Sequence, residues 1–361
     1  MENNMRFFNE KMLNENFSYF VLGVDVGGTN TDLAVAGIKN SRPILLFSTH
    51  HKSSELSSLT PVINDILTYA KTNFEIDVDM TCIGAAGVVT SSNDYCKLTN
   101  AKWEISAEVL KRETALKSVF IMNDFQLVGF GLNLLDKDNK NDIFSIKAGN
   151  DNPFSTKVIL GAGTGLGKSI LIYNENFNAF IPIPSEGGNI DFPVHNDFEF
   201  ELSKFVKKLR EISQPLTYEE LVSGRGIEAI YLFLRSKLIY NNTNFTEEID
   251  ESADKIPLIS KYKEKDETCK ETFRLFTKFY GRCAKNLVLD TLARGGLYIA
   301  GGIAVKNKEI FMKDDFTSEF INGFRRDDFL KEVPVNLILN YDVSLYGACF
   351  AAIIKTLTSK R

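Results

Sequence analysis

Twice in this chain an apolar strand runs into a glycine turn that carries a threonine, and a second apolar strand leads out. The first instance is Phe20-Val21-Leu22-Gly23-Val24-Asp25-Val26, then Gly27-Gly28-Thr29-Asn30, then Leu33-Ala34-Val35-Ala36. The second is Val158-Ile159-Leu160, then Gly161 to Gly167 with Thr164 at its centre, then Ser169-Ile170-Leu171-Ile172-Tyr173. Apolar, β-branched runs on either side of a glycine turn read as hairpins. Glycine lets main-chain amides approach a ligand without a Cβ in the way, and consecutive amides in a turn form a nest for anions. A hairpin of this kind in each of two lobes is suited to holding one polyphosphate from two sides. The alternative is two tight hairpins without a ligand.

Two familiar phosphate motifs do not fit the second turn. A Walker A loop needs glycine five positions before the one that precedes Lys168, where Ala162 stands, and it opens a helix rather than a strand. A dinucleotide fingerprint needs a third glycine where Leu166 stands.

At 361 residues the chain is long enough for two or three domains. Hydrophobic residues at 44% and charged residues at 25% are the proportions of a globular protein. The net charge of −5, with no basic block, argues against a nucleic-acid partner. The longest apolar runs fall short of the roughly 20 residues that span a bilayer, so no membrane partner is expected. The five cysteines are odd in number and none forms a C-x-x-C pair. That favours reduced thiols in the cytoplasm over disulfides or zinc. Residues 1–18 lack the apolar core of a secretory signal and read as an exposed N-terminal extension.

Along the chain, Thr60 as N-cap and Pro61 at the first helical position predict a helix to about Lys71. Ser106 reads as the cap of a short helix. Val119-Phe120-Ile121-Met122 reads as a buried strand ending at Asn123-Asp124, with a helix from Phe125 to about Leu135. Polar residues 136–156 read as a connection between lobes. The segment from Asn241 to Glu267 reads as a surface insertion. A helix carrying Phe273, Phe276, Tyr280, Ala284 and Leu287 ends near Arg294, before the strand Leu297-Tyr298-Ile299-Ala300 and Gly301-Gly302. Strand and helix alternate, which points to an α/β fold with an open sheet.

Three carboxylate positions stand out. Asp124 follows an apolar strand, and in open α/β sheets ligands gather at the carboxyl ends of strands; its alternative role is to cap the following helix. Glu186 lies in Ser185-Glu186-Gly187-Gly188-Asn189, or is a solvated turn residue. Glu219 or Glu220 precedes Leu221-Val222-Ser223-Gly224, or lies on a helix face. Carboxylates accept from paired hydroxyls and Asn both donates and accepts, a set suited to a polyhydroxylated ligand.

In order along the chain stand Asp25-Val26-Gly27-Gly28-Thr29-Asn30, Thr99-Asn100-Ala101-Lys102-Trp103, Asn123-Asp124-Phe125, Gly161 to Gly167, Glu186-Gly187-Gly188, Ser223-Gly224-Arg225-Gly226 and Ala300-Gly301-Gly302-Ile303. This ordered set resembles the bacterial-type glucokinase family, among the sugar kinases of the actin, hexokinase and Hsp70 ATPase superfamily.

The resemblance implies a two-lobed, actin-like ATPase (ribonuclease-H-like) fold with sugar and ATP in the interlobe cleft. Residues 19–134 plus 342–361 would form the small lobe and 135–341 the large lobe. It implies ATP and Mg²⁺ as cofactors, glucose as acceptor, a homodimer and a cytoplasmic enzyme. Asp124 would be the catalytic base. Asn100, Asn123, Asp124, Glu186, Asn189 and Glu219 would hold the sugar. Gly27, Gly28, Thr29, Asn30, Gly161, Gly163, Thr164 and Gly165 would contact phosphates, and Gly301 and Gly302 would approach adenosine. Asp25 would bind Mg²⁺, directly or through water. In bacterial relatives a His usually follows the E-G-G and touches the sugar; here Asn189 stands in its place. Another hexose such as mannose or N-acetylglucosamine, polyphosphate as donor, or a catalytically silent sugar sensor are the alternatives.

Overall fold

The computed structural model describes residues 5–8, 15–99, 103–150 and 152–359. Asn100 lies outside them. The chain forms two compact units. One comprises Met1–Asn139, Ile172–Pro184 and Asn340–Arg361, the other Lys140–Leu171 and Ser185–Leu339. The segment Ile172–Pro184, which the sequence places with the larger lobe, thus packs with the first unit.

The first unit is built on strands β1 (Met5–Phe7), β2 (Phe20–Val26), β3 (Asn30–Lys39), β4 (Arg42–Lys52), β5 (Val78–Ala85), β6 (Gly87–Val89), β7 (Tyr95–Leu98), β8 (Glu104–Ser106) and β9 (Ser118–Asn123). Its main sheet has the order β1-β4-β3-β2-β5-β9, and β6, β7 and β8 form a small second sheet. β2 and β3 are antiparallel, as are β3 and β4, whereas β2, β5 and β9 run parallel. Asn40 and Ser41 both have positive φ, 53° and 59°, and join β3 to β4. That pair of left-handed residues matches the right-handed twist of the flanking strands.

Part of the expected N-terminal extension is a strand. Met5–Phe7 pairs antiparallel with β4, and Phe7 meets the rings of Phe47 and Phe74 at centroid distances of 6.0 and 6.2 Å. The helix Thr60–Phe74 begins one residue earlier than expected. Its N-cap is Leu59, and the Thr60 hydroxyl donates to Glu113 instead. Ser106 caps its short helix as expected, accepting from the Val109 amide.

Two helices set the position of Asp124. The helix Asp124–Gly131 packs against the C-terminal helix Val343–Ser359, and a Cβ on Gly347 would stand 1.8 Å from the Leu127 carbonyl oxygen. Only glycine permits that approach of two backbones.

A second six-stranded sheet repeats much of the plan. Strands β10 (Ile143–Lys147), β11 (Lys157–Ala162), β12 (Leu166–Asn174), β13 (Ala179–Ser185), β14 (Leu297–Ala300) and β15 (Val335–Ile338) lie in the order β10-β15-β14-β11-β12-β13. β11 is antiparallel to β12 and parallel to β14, and β14 is parallel to β15. These are the relations of β2 to β3, β2 to β5 and β5 to β9.

Two polar segments are ordered contrary to expectation. β10 lies inside 136–156 and pairs with β15. The segment from Asn241 to Glu267 holds the helices Asn244–Glu251 and Ile256–Tyr262, which bury Ile249, Ile259 and Tyr262 in the core of this unit. It is therefore part of the core. Among the described residues no helix is long and apolar enough to cross a membrane. All five cysteines are buried and free, and burial pushes the Cys82 thiol up to about 12.

The long helix Glu267–Thr291 carries Arg282, which is 1% exposed. Its guanidinium donates to both oxygens of Glu199 at 2.7 and 2.9 Å, to Glu319 at 2.9 Å and to the Pro193 carbonyl at 2.9 Å. Removing one partner of a buried ion pair leaves the others uncompensated, at about 3–5 kcal/mol. Arg282→Met should therefore lower the urea midpoint by the equivalent of that loss. A loss below about 1 kcal/mol, the range of surface pairs, would show that the network is solvated.

Candidate active site

In the first unit the site begins at strand ends. Asp25 on β2 is level with Gly84 on β5, which is level with Met122 on β9; Val26, Ala85 and Asn123 follow in the same register. Asp25, Asn123 and Asp124 thus stand at the carboxyl edge of three adjacent parallel strands, where ligands of open α/β sheets gather. Across the hairpin Asp25 faces Asp32, whose carboxylate lies 2.7 Å from His50 Nδ1. Burial raises the Asp25 carboxyl from 3.8 to about 7, Asp124 and Asp32 add to the rise, and a hydrogen bond with Ser344 opposes it.

The capping question at Asp124 has a definite answer. Asn123 is the N-cap: its Oδ1 accepts from the Phe125 amide at 3.0 Å, and Gln126 Oε1 accepts from the Asn123 amide at 3.3 Å. Asp124 Oδ1 also accepts from the Phe125 amide, at 2.9 Å. With Asn123 serving the helix end, the cap does not depend on Asp124.

The turn 27–30 is braced by Ser53. The Ser53 hydroxyl donates to the Gly27 carbonyl at 2.7 Å and its amide to the Thr29 carbonyl at 2.9 Å. Gly28, Thr29 and Asn30 remain exposed.

In the second unit the turn 163–165 closes by a 2.8 Å bond from the Gly163 amide to the Gly165 carbonyl. The Gly224 amide, at the start of the helix Gly224–Ser236, donates to the Gly163 carbonyl at 2.9 Å. A Cβ built on Gly163 would meet nothing within 4 Å, so the space above it is open. Gly301 follows β14 beside this turn. It has φ +93°, and a Cβ there would come within 2.7 Å of the Ala162 carbonyl oxygen. Gly161, Gly163, Thr164, Gly165, Gly301 and Gly302 are therefore brought together. Among the described glycines only Gly296 and Gly301 have positive φ. The other described turn glycines are not held in a left-handed conformation.

Glu186, Asn189 and Glu219 gather around Leu166, the residue after that turn. A Cβ on Gly188 would stand 2.1 Å from the Leu166 carbonyl oxygen, which seats the Glu186-Gly187-Gly188-Asn189 turn against β12. Glu186 and Asn189 are exposed, with the Asn189 amide donating to the Glu186 carbonyl at 3.0 Å. Glu219 Oε2 accepts from the Leu166 amide at 2.9 Å, and Glu219 Oε1 accepts from Arg225. Arg225 Nη2 also forms an ion pair with Glu220 Oε1 at 2.9 Å. The sequence leaves Glu219 and Glu220 as alternatives and gives no role to Arg225 or Ser53, because their partners lie across turns that spacing does not reveal.

Among the described residues no group of three or more His, Cys, Asp or Glu side chains is placed to hold a metal ion. A cation at Asp25 would take most of its ligands from phosphate and water. A carboxyl raised by burial and two like-charged neighbours is short of positive charge, and so fits a cation nearby.

Two sheets that share a five-strand order, each headed by a glycine hairpin, define the actin-like sugar-kinase fold. The glucokinase from Balamuthia mandrillaris solved in complex with glucose is similar, with a TM-score of 0.78 at 21% identity, covering 92% of this chain and 93% of that one. A ROK family glucokinase from Streptomyces griseus, solved with glucose and AMPPNP, has a TM-score of 0.61 at 18% identity over 92% of this chain and 99% of that one. In sequence the glucokinase of Nostoc sp. strain PCC 7120 is 34% identical over 346 residues, 92% of this chain and 98% of the relative. The glucokinase family model matches residues 22–354. This chain belongs to the glucokinase family of enzymes.

The raised Asp25 carboxyl has a consequence for stability. A group that binds its proton more tightly when folded stabilises the protein fully below its unfolded value, and that contribution is lost as pH rises toward its folded value. The window runs from about 4 to about 7. Asp25→Asn should match the parent's unfolding temperature near the lower bound and exceed it above the upper one. Equal unfolding temperatures at both ends would show that Asp25 is not electrostatically strained.

Proposed function

We propose that this chain transfers the γ-phosphoryl group of ATP to the 6-hydroxyl of glucose. The observation that carries the reading is Asp124 at the strand edge beside Asp25, with Asn123 capping the helix behind it. The names of the family relatives, and the glucose and AMPPNP held by two proteins of this fold, support it.

Asp124 takes the proton of the 6-hydroxyl as the O–P bond forms. The bond between the γ-phosphorus and the bridging oxygen breaks, and ADP leaves with the electron pair. Asn100, Asn123, Glu186, Asn189 and Glu219 hold the remaining hydroxyls. The amides and hydroxyls of Gly27, Gly28, Thr29, Asn30, Gly161, Gly163, Thr164 and Gly165 hold the phosphates, with Gly301 and Gly302 against the adenosine. Such transfers leave little covalent work to the protein, so positioning and charge stabilisation dominate. Mg²⁺, held at Asp25 directly or through water, would neutralise charge on the phosphate oxygens.

Asp124→Asn keeps the shape and removes the base. Positioned bases contribute roughly 10²–10⁴-fold, so kcat should fall by about that much while glucose binding persists. Activity within a few-fold of the parent would mean that another group takes the proton.

A panel of glucose, mannose and N-acetylglucosamine, with ATP or polyphosphate as donor, tests the substrates. Asn189 is the position to vary. Asn189 is exposed, and the net loss of one neutral hydrogen bond, about 0.5–1.5 kcal/mol, is worth roughly 2–13-fold in affinity. Asn189→Ala should raise the glucose KM within that range, and Asn189→His should shift the preference among hexoses, both with the ATP KM unchanged. Unaltered sugar kinetics in both variants would make Asn189 a turn residue only.

A further inference from the structure

Phosphoryl transfer uses Glu219 and leaves its two charged neighbours, Arg225 and Glu220, without a task. Arg225 Nη2 serves two carboxylates at once, Oε1 of Glu219 and Oε1 of Glu220. Two other polar atoms of the same cluster, Glu220 Oε2 and Arg225 Nε, are buried and have no hydrogen-bond partner among the described residues. The Glu220 side chain is only 12% exposed, and that of Glu219 20%. A buried carboxylate oxygen and a buried guanidinium N–H, both unpaired, on side chains already in contact, are complementary. Arginine binds carboxylates through two parallel N–H···O bonds, so a small rotation of Arg225 onto Glu220 would pair both atoms. The same rotation would release Glu219 Oε1.

Glu219 Oε2 has a different partner, the Leu166 amide that ends the glycine turn 163–165. The Ser223 hydroxyl donates to the Glu219 carbonyl at 2.7 Å, which fixes the backbone beneath it. The carboxylate therefore has one oxygen committed to the turn and one whose partner can change.

We infer that Arg225 is a positioning residue for the sugar, shared between Glu219 and Glu220 and handed to Glu220 when Glu219 Oε1 accepts sugar hydroxyls. This rests on the reading of Glu219 as a sugar ligand. Glu220 touches no sugar. It keeps the guanidinium compensated after the hand-over, so releasing Glu219 does not leave a charge unpaired. Because Glu219 Oε2 stays on the Leu166 amide, the group that takes the sugar also steadies the phosphate turn.

The test is calorimetric titration of glucose without nucleotide, with glucose KM, kcat and unfolding temperature, for the parent, Glu219→Gln, Glu220→Gln and Arg225→Lys. Glu219→Gln should lose glucose binding. Glu220→Gln removes the charge that draws Arg225 away from Glu219, so Arg225 competes with the sugar. Hydrogen bonds to charged groups are worth about tenfold or more in affinity, so glucose should bind roughly tenfold more weakly. Its kcat at saturating glucose and its unfolding temperature should be little changed. Arg225→Lys keeps the charge without the fork and should also weaken glucose. If Glu219→Gln loses glucose while Glu220→Gln and Arg225→Lys bind it like the parent, the hand-over is wrong and the cluster is a structural brace. If Glu219→Gln itself binds glucose like the parent, Glu219 is not a sugar ligand and the hand-over falls with that reading.

Discussion

The register of three parallel strands is the constraint from which the first unit's chemistry follows. β2, β5 and β9 are hydrogen-bonded so that Asp25, Gly84 and Met122 are level and the chain leaves the sheet together at Val26, Ala85 and Asn123. A slip of one residue would turn Asp25 to the other face, since side chains alternate along a strand. The helix after β9 is then held against the C-terminal helix by backbone contact at Gly347. Asp124, at the junction of strand and helix, has its position set by both. The same arrangement buries the Asp25 carboxyl and sets Asp124 and Asp32 near it, which is why Asp25 has so high a proton affinity.

Each glycine turn is braced by a residue far along the chain. Ser53 holds the turn 27–30 with a hydroxyl and an amide, whereas Glu219 holds the end of the turn 163–165 with one carboxylate oxygen. A serine brace is neutral and self-sufficient. A carboxylate brace brings a second oxygen and a charge, and with them Arg225 and Glu220. The duplicated sheet order gives two similar platforms, and these braces make them chemically unequal.

What was legible in the sequence was local. The paired hairpins, the Ser106 cap and the strand leading to Asn123 each depend on residues within a few positions of one another, and each stands as expected. The features that escaped are set by distant partners. β10 is a short strand in a polar stretch and is ordered by pairing with β15. The segment from Asn241 to Glu267 looks solvated by composition, yet Ile249, Ile259 and Tyr262 give it a buried face. Met5–Phe7 becomes a strand because β4 offers it an edge. At the site, spacing pointed to Glu219 before Ser223-Gly224, but its bond to Leu166 spans 53 positions and no spacing rule reaches so far.

In the proposed reaction Asp124 takes the proton from the sugar hydroxyl that attacks ATP. A crystal structure with glucose and a non-hydrolysable ATP analogue tests it most directly. The glucose 6-hydroxyl should lie within hydrogen-bond reach of the Asp124 carboxylate, and the triphosphate against the amides of the glycine turns. Glucose bound with its 6-hydroxyl away from Asp124, or phosphates that touch neither turn, would contradict it.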